Sequence, residues 1–468
     1  MNEPQAKLTE GSVARHLTVM TLPVLGGIFA MMLQSFADAY FIGQVGATEL
    51  AALSFAFPVL MVVTSVAIGL GAGTSSVVAR AIGSQNPRRV RRLTTDSLII
   101  SFLITMVITT IGIILINPLF RAMGVPPDMM PMIREYMLIL YFAVPFVVVG
   151  MVGMSAMRAT GDTMLPSVLM VAASVGTIAL DPILIFGLGP VPAMELNGAA
   201  LALALSRIIL CLCGIGYLHW RLGMLSFSKP DMAEMRESWR DISHVGIPAA
   251  ATNAIIPLCI GVITAMLARH GPEVVAGFGV ASRIESMTLV MFYAMSAIIG
   301  PFVGQNLSAR KTERIFEALR LCVYFSLAFG LVVAVLLAIF GEPLSALFSE
   351  NAEVVRVSSL FLLIAPIGYG AYGMVMVMNA SFNGMARPMP AVAVSVIRMG
   401  VIYVPIAFVA DRLIGIEGIF AAYTIANILT GILAYAWARR TVADQAAADE
   451  PLDEPVAAVT ITESSQQT

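Results

Sequence analysis

Twelve apolar runs, each long enough to cross a bilayer, follow one another with little between them. They cover roughly residues 18–42, 51–78, 95–120, 136–156, 165–187, 198–218, 244–268, 276–303, 316–340, 357–380, 390–410 and 418–438. A helix needs about 20 apolar residues to span the hydrocarbon core. In lipid the backbone must satisfy its own hydrogen bonds, so runs of this length predict helices. They are apolar on all faces rather than along one stripe, which separates them from amphipathic helices on soluble proteins. Of the 468 residues, 58% are hydrophobic and 12% charged, with a mean hydropathy of +0.88. Ordinary soluble domains are about 25% charged. The predicted fold class is therefore all-α integral membrane, with twelve transmembrane helices. Met1–Leu17 is polar and the run after it is of spanning length, so no cleavable signal peptide is expected.

The cations are distributed unequally. The segments before span 1 and after the even-numbered spans, with their flanking turns, hold 19 Lys and Arg, among them Arg88, Arg89, Arg91, Arg92, Arg310, Lys311, Arg314, Arg439 and Arg440. The opposite loops hold 5: Arg121, Arg134, Arg269, Arg356 and Arg412. The positive-inside rule then places both termini in the cytoplasm. The expected location is the cytoplasmic (inner) membrane of a bacterial or archaeal cell, with the chain multi-pass. A net charge of -2 argues against nucleic acid as a partner. Cys211, Cys213, Cys259 and Cys322 lie in apolar runs without zinc or redox spacing and read as packing residues.

The chain is also internally repeated. A shift of 225 residues carries Arg15 to Arg240, Pro23 to Pro248, Gly46 to Gly271 and Arg89 to Arg314. Further on, Pro145 meets Pro366 and Gly161 meets Gly384 at slightly smaller shifts. Constant order and a near-constant shift indicate duplication. Six spans per copy give both copies one topology, so two six-helix bundles are expected, related by a pseudo-two-fold axis along the membrane normal. The expected organisation is a cytoplasmic N-terminus (1–17), an N-terminal bundle (18–218), a polar cytoplasmic linker (219–243), a C-terminal bundle (244–440) and a disordered acidic tail (441–468).

Few ionisable residues fall deep within the spans: Asp38, Asp181, Arg207, Arg283, Glu285 and Arg398. An acid at the centre of a membrane helix costs about 2.5–3.5 kcal/mol on insertion scales. It is kept for a partner or for a task. Asp38 and Asp181 lie near the outer ends of spans 1 and 5, at similar depth in one half. Pro182 is expected to disrupt the helix beside Asp181 and free carbonyl groups. Two close carboxylates with loose carbonyls are what a proton or Na⁺ site requires. A structural reading also stands: Asp38 in an interhelical hydrogen bond or paired with an Arg, Asp181 as a local cap, and Glu285 neutralised by nearby Arg283. Position 263, which the repeat equates with Asp38, is Ile.

Five stretches carry a family resemblance: FADAYFIGQVGATELAALSFAFP, following Pro23; ARAIGSQNPRRVRR; MRATGDTMLP; LDPILIFG; and GVASRIES. In this order, across twelve spans and about residues 10–440, the chain resembles the multidrug and toxic compound extrusion (MATE) family. The resemblance implies a secondary antiporter with a V-shaped cleft between two bundles. Such a protein exports organic cations and other small amphipathic compounds in exchange for H⁺ or Na⁺. It implies that Asp38 and Asp181 bind the coupling cation, as metal ligands only if that ion is Na⁺. Thr177 stands where the family often has Asn four residues before the span-5 acid, and supplies a hydroxyl instead. Glu285, Tyr40 and Arg283 are further candidates for substrate or coupling. No cofactor beyond the coupling ion is implied, and the partners are membrane lipid and substrate, for a protein expected to be a monomer. Spans 7 and 10 lack the acids of the NorM-type branch, which places the resemblance closer to the DinF-like branch.

Other transport and enzyme classes fit less well. A lipid-linked saccharide flippase of the same superfamily is the alternative reading, but would be expected to line its cavity with more cations. A membrane enzyme is disfavoured because no zinc-ligand spacing or nucleophile elbow occurs in the spans. A channel is disfavoured by the lack of a filter-like loop or charged ring.

Overall fold

The computed structural model describes residues 6–188, 191–226 and 231–449. A one-turn 3₁₀ helix, Lys7–Thr9, precedes fifteen α-helices. In the N-terminal half these are α1 (Val13–Val45), α2 (Ala47–Gly83), α3 (Pro87–Ala122), α4 (Met130–Ala159), α5 (Met164–Phe186) and α6 (Glu195–Trp220). In the C-terminal half they are α7 (Met232–Leu267), α8 (Pro272–Thr288), α9 (Val290–Ser308), α10 (Thr312–Ala346), α11 (Ala352–Ile364), α12 (Tyr369–Gly384), α13 (Pro388–Val396), α14 (Val404–Ile414) and α15 (Ile416–Asp449). Among the described residues, twelve segments are long and apolar enough to cross a membrane. The fold is a multi-pass all-α membrane protein.

Local chemistry starts and stops these helices. Ser12, Asn86, Asp231 and Asn351 cap α1, α3, α7 and α11 by accepting from backbone N–H groups at 3.4, 3.0, 3.0 and 2.9 Å. Such caps satisfy donors that a helix N-terminus leaves free. Within α3, the hydroxyls of Thr94, Ser97, Ser101 and Thr105 each donate to the carbonyl one turn back, at 2.6–2.8 Å. Polar side chains on the packed face of an apolar span are thereby satisfied.

The repeat is visible in the turns. Gln85, after α2, and Arg310, after α9, both take the left-handed conformation (φ 54° and 55°), and 310 − 85 = 225. Gly161 (φ 87°) and Ala386 (φ 56°) occupy the same kind of turn after α4 and α12. The structural partner of Gly161 is thus Ala386, not Gly384. Gly384 is the last residue of α12, where a shared residue type misaligned the two sequences.

Several expectations are corrected. The linker expected over 219–243 is largely helical, because α6 runs to Trp220 and α7 begins at Met232 on its Asp231 cap. The tail expected from 441 begins later, since α15 continues to Asp449; residues 450–468 lie outside the described residues. Helix α5 is continuous through Pro182. Proline there removes one N–H, the donor that would reach the Ile178 carbonyl, without ending the helix. Three C-terminal spans carry interruptions instead: Leu289 between α8 and α9, a 3₁₀ turn at Ala365–Gly368 around Pro366, and a π-helical stretch at Ile397–Tyr403.

The halves meet at the end that carries the basic loops. In α2, Gly69 and Gly73 face α7 so closely that an added Cβ would lie 2.5 Å from the carbonyls of Gly246 and Ile242 respectively. Ser76 Oγ donates to the Asn383 carbonyl (2.6 Å), and Arg89 bridges to Glu237 and Asp241 at 2.9 and 3.2 Å. The N-terminal strap completes this closure. Leu8 is buried among residues of the C-terminal half. Its N–H donates to Gln305 Oε1 (3.2 Å), while Gln305 Nε2 donates to the Ala159 carbonyl of α4 (2.7 Å). Lys311 Nζ and Arg314 Nη1 donate to the carbonyls of Thr9 (2.9 Å) and Gly11 (2.6 Å).

Burying a leucine contributes about 2 kcal/mol, so Leu8→Asp should disfavour the closed state about 30-fold. Ser76→Cys, in a chain with the four native cysteines replaced by Ser, reports on this seam. Its labelling by a membrane-impermeant thiol reagent should accelerate when Leu8→Asp is added. Unchanged labelling would show that the strap does not hold the seam.

Candidate functional site

Helices α1 and α5 carry the two acids of the N-terminal half. Asp38 lies seven residues before the end of α1 and Asp181 five residues before the end of α5. At 1.5 Å per residue these are depths of about 10 and 8 Å from the same end of the bundle. Packing of α1 against α5 sets the two carboxyl groups side by side. Asp181 is fully buried, and no donor from another side chain or the backbone reaches its oxygens or Oδ1 of half-buried Asp38; what they face is each other's carboxyl group. Two facing carboxyl groups with no other donor on those oxygens are a costly arrangement for a span interior.

The surroundings include groups that were not singled out in the sequence for this site. Gln34, one turn before Asp38 on the same helix face, donates from Nε2 to Asp38 Oδ2 at 3.4 Å. Arg207 of α6, 9% exposed, donates from Nη2 to Gln34 Oε1 at 3.1 Å. Tyr136 of α4 is buried next to both acids. The i, i+4 spacing of Gln34 and Asp38 was visible in the sequence; the approach of α4 and α6 was not. Thr177, one turn before Asp181, is buried, and its hydroxyl donates to the Ala173 carbonyl at 3.0 Å. That leaves its oxygen lone pairs for another partner. Tyr40 is 64% exposed, with its ring edge-on to Phe41 at 5.7 Å.

The side-chain donors are hard oxygen: the two carboxylates and, one turn before Asp181 on the same helix, the Thr177 hydroxyl. Among the described residues no third acid, histidine or cysteine joins them. Such a set fits a proton or a monovalent alkali cation and lacks the ligands of a transition-metal centre.

Glu285 stands apart, in the C-terminal half. It accepts from the Tyr423 hydroxyl at 2.8 Å and faces the hydroxyl of Tyr369. Arg283 does not neutralise it. Two residues apart on a helix, the side chains point to different faces, and Arg283 is exposed. The cation near Glu285 is Arg398, buried on the π-helical stretch. Its guanidinium lies 4.4 Å from the centre of the Tyr372 ring and donates to Asn427 Oδ1 at 3.1 Å. One acid and one guanidinium balance here, whereas two acids face one guanidinium in the N-terminal half.

Comparison with known proteins agrees with this architecture. The MatE family matches residues 23–183 and 248–409, one match in each half. A FAD transporter of Shewanella oneidensis is 37% identical over 437 residues, covering 92% of this chain and 96% of that protein. A probable multidrug resistance protein of Bacillus subtilis, YoeA, is 24% identical, covering 92% and 94%. Among solved structures, a variant of the Vibrio cholerae MATE transporter VcmN superposes with a TM-score of 0.89 at 29% identity, covering 92% and 97%. The chain belongs to the MATE family of membrane transporters, and is a transporter rather than an enzyme.

Proposed function

We propose that this transporter is an antiporter that exports small organic compounds in exchange for H⁺ or Na⁺, with Asp38 and Asp181 as the coupling-cation site. The observation that carries this reading is the adjacency of two buried acids whose facing oxygens receive no donor from any other side chain or the backbone. A cation arriving there relieves an unfavourable charge, so it favours whichever state of the bundles keeps the site intact. Thr177 supplies a further oxygen if the ion is Na⁺. With both termini in the cytoplasm of a bacterial or archaeal cell, the closed basic end faces inward and this is the outward-facing state. Loading of the acids from outside then precedes rocking of the halves.

Amphipathic or cationic organic compounds are the substrate class that relatives named as multidrug exporters support. Export of FAD is a second reading, supported by the 37% identity with the Shewanella oneidensis protein. The two are separated in liposomes by following a fluorescent organic cation and FAD in parallel, under an imposed pH gradient or Na⁺ gradient. One gradient should drive accumulation, and Asp38→Asn should abolish it while the protein remains folded. Full accumulation in Asp38→Asn would remove the acid pair from the mechanism.

Stability offers an independent check. Asp181→Asn replaces one of two facing buried carboxyl groups with a neutral amide that can donate to Asp38, which should stabilise the fold by about 1–3 kcal/mol. The melting temperature in detergent should rise as transport is lost. A fall would mean that the carboxylate is held by structural bonds.

A further inference from the structure

Arg207 is an expensive residue to keep. It is almost fully buried in α6, beyond the reach of solvent, and one of its amino groups is spent on Gln34 rather than on a carboxylate. The bridge is directional. The guanidinium fixes the Gln34 carbonyl oxygen, which turns the Gln34 amide N–H toward Asp38 Oδ2. A glutamine accepting from an arginine can present only its donor side to the next group. The charge of Arg207 acts on Asp38, while Asp181 faces only the Asp38 carboxyl and has no cation of its own. The charged and titratable groups facing the pair are thus Arg207 from α6 and Tyr136 from α4, together with Asp38 and Asp181 themselves.

The charge count has a consequence. With both acids ionised the cluster carries two negative charges against one positive, leaving a single negative charge in a low-dielectric interior. One monovalent cation brings it to neutrality; a second would leave it positive. The Glu285–Arg398 cluster is already neutral and creates no such demand. We infer that Arg207, acting through Gln34, is a positioning residue that compensates Asp38, directs the coupling cation to Asp181 and limits the site to one cation per cycle. This rests on the antiport reading above, and extends it from the identity of the acids to the stoichiometry they impose.

The test compares wild type, Arg207→Lys and Arg207→Gln in liposomes with the membrane potential clamped at zero. The probe is the exported compound that wild type accumulates, driven by whichever cation gradient wild type uses. A tenfold gradient sustains a plateau of about tenfold accumulation when one cation is exchanged and about hundredfold when two are. Wild type and Arg207→Lys should reach the first. Arg207→Gln leaves two uncompensated acids and should approach the second, at whatever rate it runs. A merely structural arginine would change rate or yield but not this exponent.

If Arg207→Gln folds without transporting, cations bound per purified protein are counted instead, by proton release in weakly buffered solution or by radioactive sodium binding. Two per chain against one in wild type supports the inference. One per chain in both, or equal plateaus, overturns it. Wild type showing no accumulation under either gradient removes the antiport reading itself, a different result from equal plateaus in wild type and Arg207→Gln.

Discussion

Charge inside a membrane span has to be compensated by something within reach, and the two halves of this protein meet that demand differently. In the C-terminal half, Glu285 receives a hydrogen bond from Tyr423, and the buried Arg398 nearby stacks on Tyr372 and binds Asn427. Charges balance and the aromatic rings close around them. In the N-terminal half the balance is incomplete: Arg207 reaches Asp38 through Gln34, and Asp181 faces only the Asp38 carboxyl, with no cation of its own. An incompletely compensated acid is unstable unless a mobile ion can complete the set. The protein keeps this instability in one half only.

That asymmetry rests on a symmetric backbone. The left-handed turns at Gln85 and Arg310, and at Gly161 and Ala386, show how closely the second copy follows the first. At the repeat's shift Asp38 meets Ile263 and Glu285 meets Leu60, so each acid stands opposite an apolar residue. Duplication supplied two scaffolds of one shape, and substitution of a few interior side chains gave them separate chemistry. The interruptions follow the same division: α5 passes through Pro182 as one helix, whereas the spans around Glu285 and Arg398 contain a break, a 3₁₀ turn and a π-helical stretch. Irregular backbone of this kind is tolerated in membranes where protein surrounds it.

Most of the architecture could be read from residue order. Apolar runs identified the spans because lipid permits few alternatives to a helix, and Asp38 and Asp181 stood out because acids are rare there. Their matched depth followed from counting residues along α1 and α5. What residue order could not supply was the third dimension between helices. Arg207 lies in a span whose rotation the sequence leaves open, so its link to Gln34 was invisible. Arg283 looked like the partner of Glu285 because it is near in sequence, but helical periodicity turns it away and brings in Arg398, more than a hundred residues further on. The start of α7 and the end of α15 differ from expectation for another reason: beyond the bilayer a helix continues on polar residues that hydropathy reads as loop.

The strap at Leu8–Gly11 changes how the two chain ends should be regarded. One end is threaded between the moving parts and gripped by Gln305, Lys311 and Arg314; the other leaves the bundle on the helix α15. A fusion partner, affinity handle or surface tether placed ahead of residue 6 pulls on a latch, and its bulk adds to the work of seating it. The same addition after Asp449 follows a single helix that makes none of the hydrogen bonds holding Leu8–Gly11. Preparations of this transporter that differ only in which end is tagged should therefore differ in conformational poise before any substrate or ion is added.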